Sequence, residues 1–141
     1  MLDLYYFSQS GVIPYRIINK KLEILLITST RKKKWIIPKG FVEFRLSALE
    51  SAIKEAYEEA GVVGEGDIPE LGYYEIQKVI GRIEVKVYPM KVLTILDSYP
   101  EENLRRRKWF DFEDAIEKVN NPLIAKLLNE LKERLILEII P

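Results

Sequence analysis

Apolar and polar residues change their spacing several times along this chain, and each change marks an element. The run YYFSQSGVIPYRI predicts a strand over residues 5–17. Pro14 assigns that strand to a sheet edge or a bulge, because proline brings no N–H to a ladder. Asn19-Lys20-Lys21 turns the chain into LEILLITS, a strongly apolar strand over Leu22–Ser29. Trp35-Ile36-Ile37 predicts a short strand that runs into Pro38-Lys39-Gly40. Ser47 followed by Glu50 reads as a capping box, and Gly61 suits the position just past a helix end, so a helix is predicted over about Ala48–Ala60. Strands follow at 71–79 and 82–96, joined by a hairpin about Ile80-Gly81. After the charged loop Tyr99–Arg107 come a short strand at Trp109-Phe110 and a short helix over Phe112–Val119. Asn121-Pro122 opens a last helix, about 122–138, with Ile124, Leu127, Leu128, Leu131 and Leu135 on one stripe. The order β-β-β-α-β-β-β-α-α predicts an α/β (α+β) fold, a mixed sheet sandwiched between helices, in a single domain over residues 1–141.

Composition narrows the chemistry. The chain has neither histidine nor cysteine, which removes imidazole bases, thiol nucleophiles and disulfides, and leaves almost no basis for a zinc site. Catalysis then falls to carboxylates, lysine, tyrosine, hydroxyls or a hard cation held by oxygen. Lys plus Arg equal Asp plus Glu at 22 each, and this balance argues against bulk nucleic-acid or membrane binding. No apolar run approaches the length of a membrane span, and MLDLYYFSQSG lacks the basic end and apolar centre of a signal peptide, so a cytoplasmic location is expected.

The most unusual segment is Gly40–Val62, whose end, Lys54-Glu55-Ala56-Tyr57-Glu58-Glu59-Ala60-Gly61-Val62, packs three carboxylates into five residues. At about 100° per residue Glu55, Glu58 and Glu59 fall within an arc of about 100°, and Leu49, Ala52, Ile53, Ala56 and Ala60 fill a neighbouring arc. One arc faces a cleft and the other a sheet. Two carboxylates about 5 Å apart repel by roughly 3 kcal/mol at an effective dielectric of 20. A divalent cation offsets that repulsion, and so does exposure to water on an ordinary solvated face. Lys54 stands four residues from both Glu50 and Glu58, so it can orient a carboxylate. Gly40 lets the backbone bend close to a metal and offer a carbonyl.

On these residues the chain resembles the Nudix hydrolases. Their box reads Gly, five residues, Glu, seven residues, Arg-Glu, an apolar residue, any residue, Glu-Glu, any residue, Gly and an apolar residue. Gly40, Glu55, Ala56, Glu58, Glu59, Gly61 and Val62 fit it, Lys54 replaces the Arg, and Leu46 replaces the first Glu. The resemblance implies an α/β/α sandwich that hydrolyses a diphosphate bond using Mg²⁺ or Mn²⁺. It implies Glu58 and Glu59 as the main metal ligands, Glu55 as a ligand or as the activator of the attacking water, and Gly40 as a carbonyl donor. Leu46 leaves two readings. In one, Glu43 or a distant acid covers the missing carboxylate; in the other, the fold has become a non-catalytic phospho-ligand sensor.

Basic segments flank the box at Arg31-Lys32-Lys33-Lys34, Lys39 and Arg105-Arg106-Arg107-Lys108. Each alone reads as a solvated loop; gathered around an acidic helix they suit a substrate with many phosphates. The segments LLITSTRKKKWIIPKG and YPEENLRRRKWFDFEDA resemble the diadenosine polyphosphate and diphosphoinositol polyphosphate hydrolase branch. That resemblance implies phosphate contacts from Ser29, Thr30, Arg31, Lys39 and Arg106 or Arg107. It also makes Glu102 a candidate general base, which reads equally well as an exposed loop residue paired with a neighbouring Arg. A dinucleoside polyphosphate is the first expected substrate and a nucleoside triphosphate the second. A homodimer is expected by analogy with such families.

Overall fold

The computed structural model describes residues 6–140. Its elements are strands β1 (Tyr6–Ile18), β2 (Lys21–Thr28), β3 (Trp35–Ile36) and β4 (Lys39–Phe41), then helix α1 (Ala48–Ala60). Strands β5 (Val62–Gly66), β6 (Gly72–Lys78), β7 (Gly81–Ile95) and β8 (Arg107–Asp111) follow, then helices α2 (Phe112–Val119), α3 (Pro122–Arg134) and α4 (Ile136–Ile139). Tyr5, the first residue of the expected opening strand, lies outside the described residues.

The continuous apolar run of β2 shows why the fold is layered. Ile24 and Leu26 pack into a core shared with α2 and α3, including Ile124, Leu128 and Leu131. Their neighbours Leu25 and Ile27 point the other way, into a core built with Ala52, Ala56 and Ala60 of α1. A strand buried on both faces has no polar side to alternate. The sheet therefore lies between α1 on one face and the later helices on the other, the sandwich that the element order predicts.

The sheet is mixed. Its main path runs β3-β2-β1-β7-β5, with β4 also on β1, β6 on β7 and β8 on β2. β1 and β7 are parallel from Tyr6↔Arg82 to Tyr15↔Lys91, and the other pairings are antiparallel. This corrects the expectation for Pro14. β1 is a central strand, and its register against β7 runs through Pro14↔Met90 without a shift. On its other side β1 pairs β4 at residues 9–11 and β2 at residues 15–18, so Pro14 falls in the gap between two partners. The missing N–H costs nothing there.

Two further differences concern short or long elements. β4 and β5 were not expected, because Lys39-Gly40-Phe41 and Val62-Val63-Gly64-Glu65-Gly66 carry no alternation of their own. β4 pairs with Gln9–Gly11, and β5 pairs with the far end of β7 through an irregularity at Val63/Gly64. The last helix, expected as one piece to 138, breaks at Leu135, whose N–H donates to the carbonyls of both Leu131 and Lys132 before α4 begins.

Candidate active site

The acidic helix is placed from both ends. At its start the Ser47 hydroxyl accepts from the Glu50 N–H (3.0 Å) and the Glu50 carboxylate accepts from the Ser47 N–H (2.8 Å), the reciprocal capping box that the sequence predicts. At its end Gly61 takes the left-handed conformation (φ 66°) and donates its N–H to the Tyr57 carbonyl at 3.1 Å. Ala52, Ala56 and Ala60 are fully buried, so the helix backbone lies close on the sheet. The carboxylate arc then faces the edge formed by Pro38, Lys39 and Gly40.

Glu59 is buried and Glu55 half-buried, and the two carboxyls are hydrogen-bonded to each other. Burial, with the Glu55 hydrogen bond second, pushes the Glu59 carboxyl up to about 8. Burial also raises Glu55, with repulsion from Glu58, Glu101 and Glu43 in the same direction. The pair therefore favours holding a proton above the usual carboxylate range. The Lys39 N–H donates to Glu59 Oε1 at 3.2 Å, and Arg105 Nη2 lies 3.9 Å from Glu59 Oε2. Glu58 is half-exposed on the same arc. Among the described residues no three acidic side chains are yet drawn together into a metal cage. The donor set nonetheless fits a hard divalent ion, because a cation can replace that proton.

Gly40 is required by space rather than by backbone angle. A methyl group there would overlap the carboxylate of Glu55, whose Oε1 lies 2.8 Å from the position of the added carbon. Gly40→Ala is therefore expected to displace Glu55, lowering kcat by about 10²-fold with a shift in melting temperature of only a few degrees. Steady-state rates and a melting curve on the same preparation check this. Full activity would show that the close approach is not needed.

The other expected site residues divide into those brought to the helix and those held elsewhere. Lys39 is brought in: its Nζ donates to Gln9 Oε1 at 2.9 Å, and burial lowers its pKa. Lys54 pairs with Glu43 at 2.8 Å. Ser29 closes its own loop, donating its N–H to the Lys34 carbonyl (2.8 Å) and accepting the Lys34 N–H on Oγ (3.0 Å). Thr30 and Arg31 are exposed in that loop. Arg106 lies over the Trp35 ring at 5.5 Å.

The Arg107 guanidinium donates to the carbonyls of Ala60 (2.9 Å), Gly61 (3.2 Å) and Leu96 (2.7 Å), and lies over the Tyr99 ring. It caps the end of α1, where backbone carbonyls take up its donors. Glu102 is exposed and accepts from the Ser98 hydroxyl at 3.1 Å, within its own loop.

Sequence reasoning missed their neighbours. Arg105 Nε donates to Glu101 at 2.9 Å, and its Nη1 donates to the Thr28 carbonyl at 3.2 Å, which places its charge beside Glu59. The Glu101 N–H donates to the Glu58 carbonyl at 3.0 Å, so Glu101 is the loop acid docked on the helix. A signal existed in the alternation of the strand that begins at Arg107. Arg105 and Arg107 share the α1 face; Arg106 and Lys108 lie over Trp35 and Phe110 on the other.

The chain belongs to the Nudix family, since the NUDIX domain model matches residues 8–131, and with it to the hydrolases acting on phosphoanhydride bonds. Diphosphoinositol polyphosphate phosphohydrolase 2 of Mus musculus is 38% identical over 116 residues, covering 78% of this chain and 63% of that protein. Nudix hydrolase 18, mitochondrial, of Arabidopsis thaliana is 34% identical, covering 89% of this chain and 76% of that protein. Among solved structures, the Ap4A hydrolase of C. elegans superposes with a TM-score of 0.74 at 25% identity, covering 93% of this chain and 99% of that one.

Proposed function

We propose that this protein is a metal-dependent pyrophosphohydrolase acting on a dinucleoside polyphosphate, with a nucleoside triphosphate as the next substrate. The observation that carries the reading is Lys39, which joins the acidic helix to a cleft. Its N–H bonds Glu59, while its side chain borders a cleft of about 460 Å³ lined by Trp35, Ile37, Tyr74, Ile76 and Asn121. That volume is within the usual range for small-molecule sites. An aromatic, largely apolar wall with a few polar groups suits a nucleobase, whereas an inositol ring has no flat face to stack. The Ap4A hydrolase name of the C. elegans relative supports the same choice.

In this reading Glu55, Glu58 and Glu59, with the Gly40 carbonyl, hold Mg²⁺ or Mn²⁺. The bound cation would neutralise charge on the phosphates and lower the pKa of the attacking water. Lys39 and Arg106 hold phosphate oxygens between the cleft and the helix. Arg105 keeps Glu101 against the helix, and Glu55 or Glu101 receives the proton of the attacking water as the P–O anhydride bond breaks.

Phosphate release from diadenosine tetraphosphate, ATP and a diphosphoinositol polyphosphate, with Mg²⁺ and with EDTA, tests the reading. The diadenosine compound is expected to turn over fastest, only with metal. Trp35→Leu keeps apolar bulk but loses the ring face, so KM for that substrate is expected to rise about tenfold with little change in kcat. Preference for the inositol compound, or an unchanged KM in Trp35→Leu, would overturn the nucleotide assignment.

A further inference from the structure

We infer that Glu43 takes over the place that Leu46 vacates in the box, acting as a positioning carboxylate that holds Lys54 away from Glu55 and Glu58; the inference rests on the metal-dependent reading above. Lys54 stands where the box has its arginine, and its ammonium donates to Glu43 Oε1 at 2.8 Å. Glu43 is not free to drift. Its N–H donates to the buried Ser51 hydroxyl at 3.0 Å, and its carbonyl accepts the Leu46 N–H at 3.1 Å. Just before it, the Val42 N–H donates to the Ser8 carbonyl at 3.0 Å. The turn from Glu43 to Leu46 passes through Arg45 at φ 73°, and the bond to Ser51 holds residue 43 against the helix flank.

Lys54 has other partners within reach. Glu58 lies one helical turn on, the geometry of an i,i+4 ion pair, and both Glu55 and Glu58 attract the ammonium. A lysine that settled on Glu58 would occupy a carboxylate needed for the cation. Glu43 prevents this by holding the ammonium itself, at 2.8 Å from Lys54 Nζ. Both members of the pair are well exposed, with 44% and 39% of their side-chain surface accessible, so the pair contributes little to stability and its effect lies in positioning.

Four proteins test this: wild type, Glu43→Gln, Leu46→Glu and the double variant. Mn²⁺ affinity is measured by calorimetry, and kcat and KM with diadenosine tetraphosphate and Mg²⁺. Glu43→Gln is expected to weaken Mn²⁺ binding about tenfold, the scale of losing a group that orients metal ligands, with the melting temperature within about 2 °C. Leu46→Glu alone is expected to stay within about twofold of wild type, and the double variant to recover to within about twofold, since position 46 then supplies the carboxylate. Unchanged Mn²⁺ affinity in Glu43→Gln, or no recovery in the double variant, overturns the inference. If wild type binds Mn²⁺ with this pattern but cleaves no substrate, the inference stands and the proposed activity falls. If wild type cleaves its substrate while Glu43→Gln matches it throughout, the activity stands and the inference falls.

Discussion

Glu59→Gln is expected to lower kcat on the order of 10³-fold, the scale of removing one preorganised electrostatic group from an active site, while making the metal-free fold more stable at neutral pH. The two effects share one cause. Glu59 is buried against Glu55, and its carboxyl moves from 4.5 to about 8 on folding. Between those values the folded chain keeps a proton that the unfolded chain has released. The stability tied to the neutral carboxyl is therefore fully present below about pH 4.5 and is lost as pH rises through about 8. The melting temperature of metal-free wild type, relative to Glu59→Gln, is expected to fall steadily across that window, because glutamine has no proton to lose. Excess Mg²⁺ should reverse the fall, since a cation binds the deprotonated pair and stabilises only the folded form. Melting curves from about pH 5 to 8, with and without Mg²⁺, check this. A variant-to-wild-type difference that stays flat with pH would mean that the retained proton is absent.

Arg107→Met is expected to destabilise the fold by about 3 kcal/mol, the cost of losing charge-assisted hydrogen bonds from a half-buried guanidinium, or roughly 10 °C in melting temperature. The three carbonyls that Arg107 meets belong to Ala60 in the last turn of α1, to Gly61, which also accepts the Leu96 N–H at 2.8 Å, and to Leu96, the first residue after β7. Without the guanidinium, the Tyr99 ring also loses its cationic partner and the contact across Gly61 loosens. Methionine keeps much of the bulk but none of the donors. Below its melting transition the variant should retain a substrate KM near wild type, because Arg107 does not face the cleft. A large rise in KM with unchanged stability would place Arg107 among the phosphate ligands. Arg106→Met is the matched control: its guanidinium makes an aromatic contact at Trp35 and is expected to affect KM more than stability.

The contrast between Arg106 and Arg107 illustrates how much of the site could be read in the linear chain. The helix over Ala48–Ala60, its capping box and its terminal glycine agree with the structure because each depends on residues within four positions of one another. The arc of Glu55, Glu58 and Glu59 follows from the helical turn alone. The basic run Arg105-Arg106-Arg107-Lys108 was legible as a basic run and no further. Which arginine reaches Glu59 depends on the phase with which β8 enters the sheet against β2, and Trp109↔Leu25 sets that phase. Glu101 and Glu102 differ for the same reason: one backbone bond to Glu58 orients the loop, and no local pattern marks it.

By itself the sequence determined the layered α/β architecture, the capped acidic helix and the family, all carried by local periodicity and a fixed spacing of residue types. Tertiary structure alone decided that β4 and β5 are strands, because ladder partners at Gln9–Gly11 and along β7 supply what their own residues lack. It also decided that Pro14 sits in a central strand, that Arg105 and Glu101 stand at the acidic helix, and that Glu43 holds Lys54. Each of these depends on which groups, distant in the chain, are left to pair once the sheet has closed on its two cores.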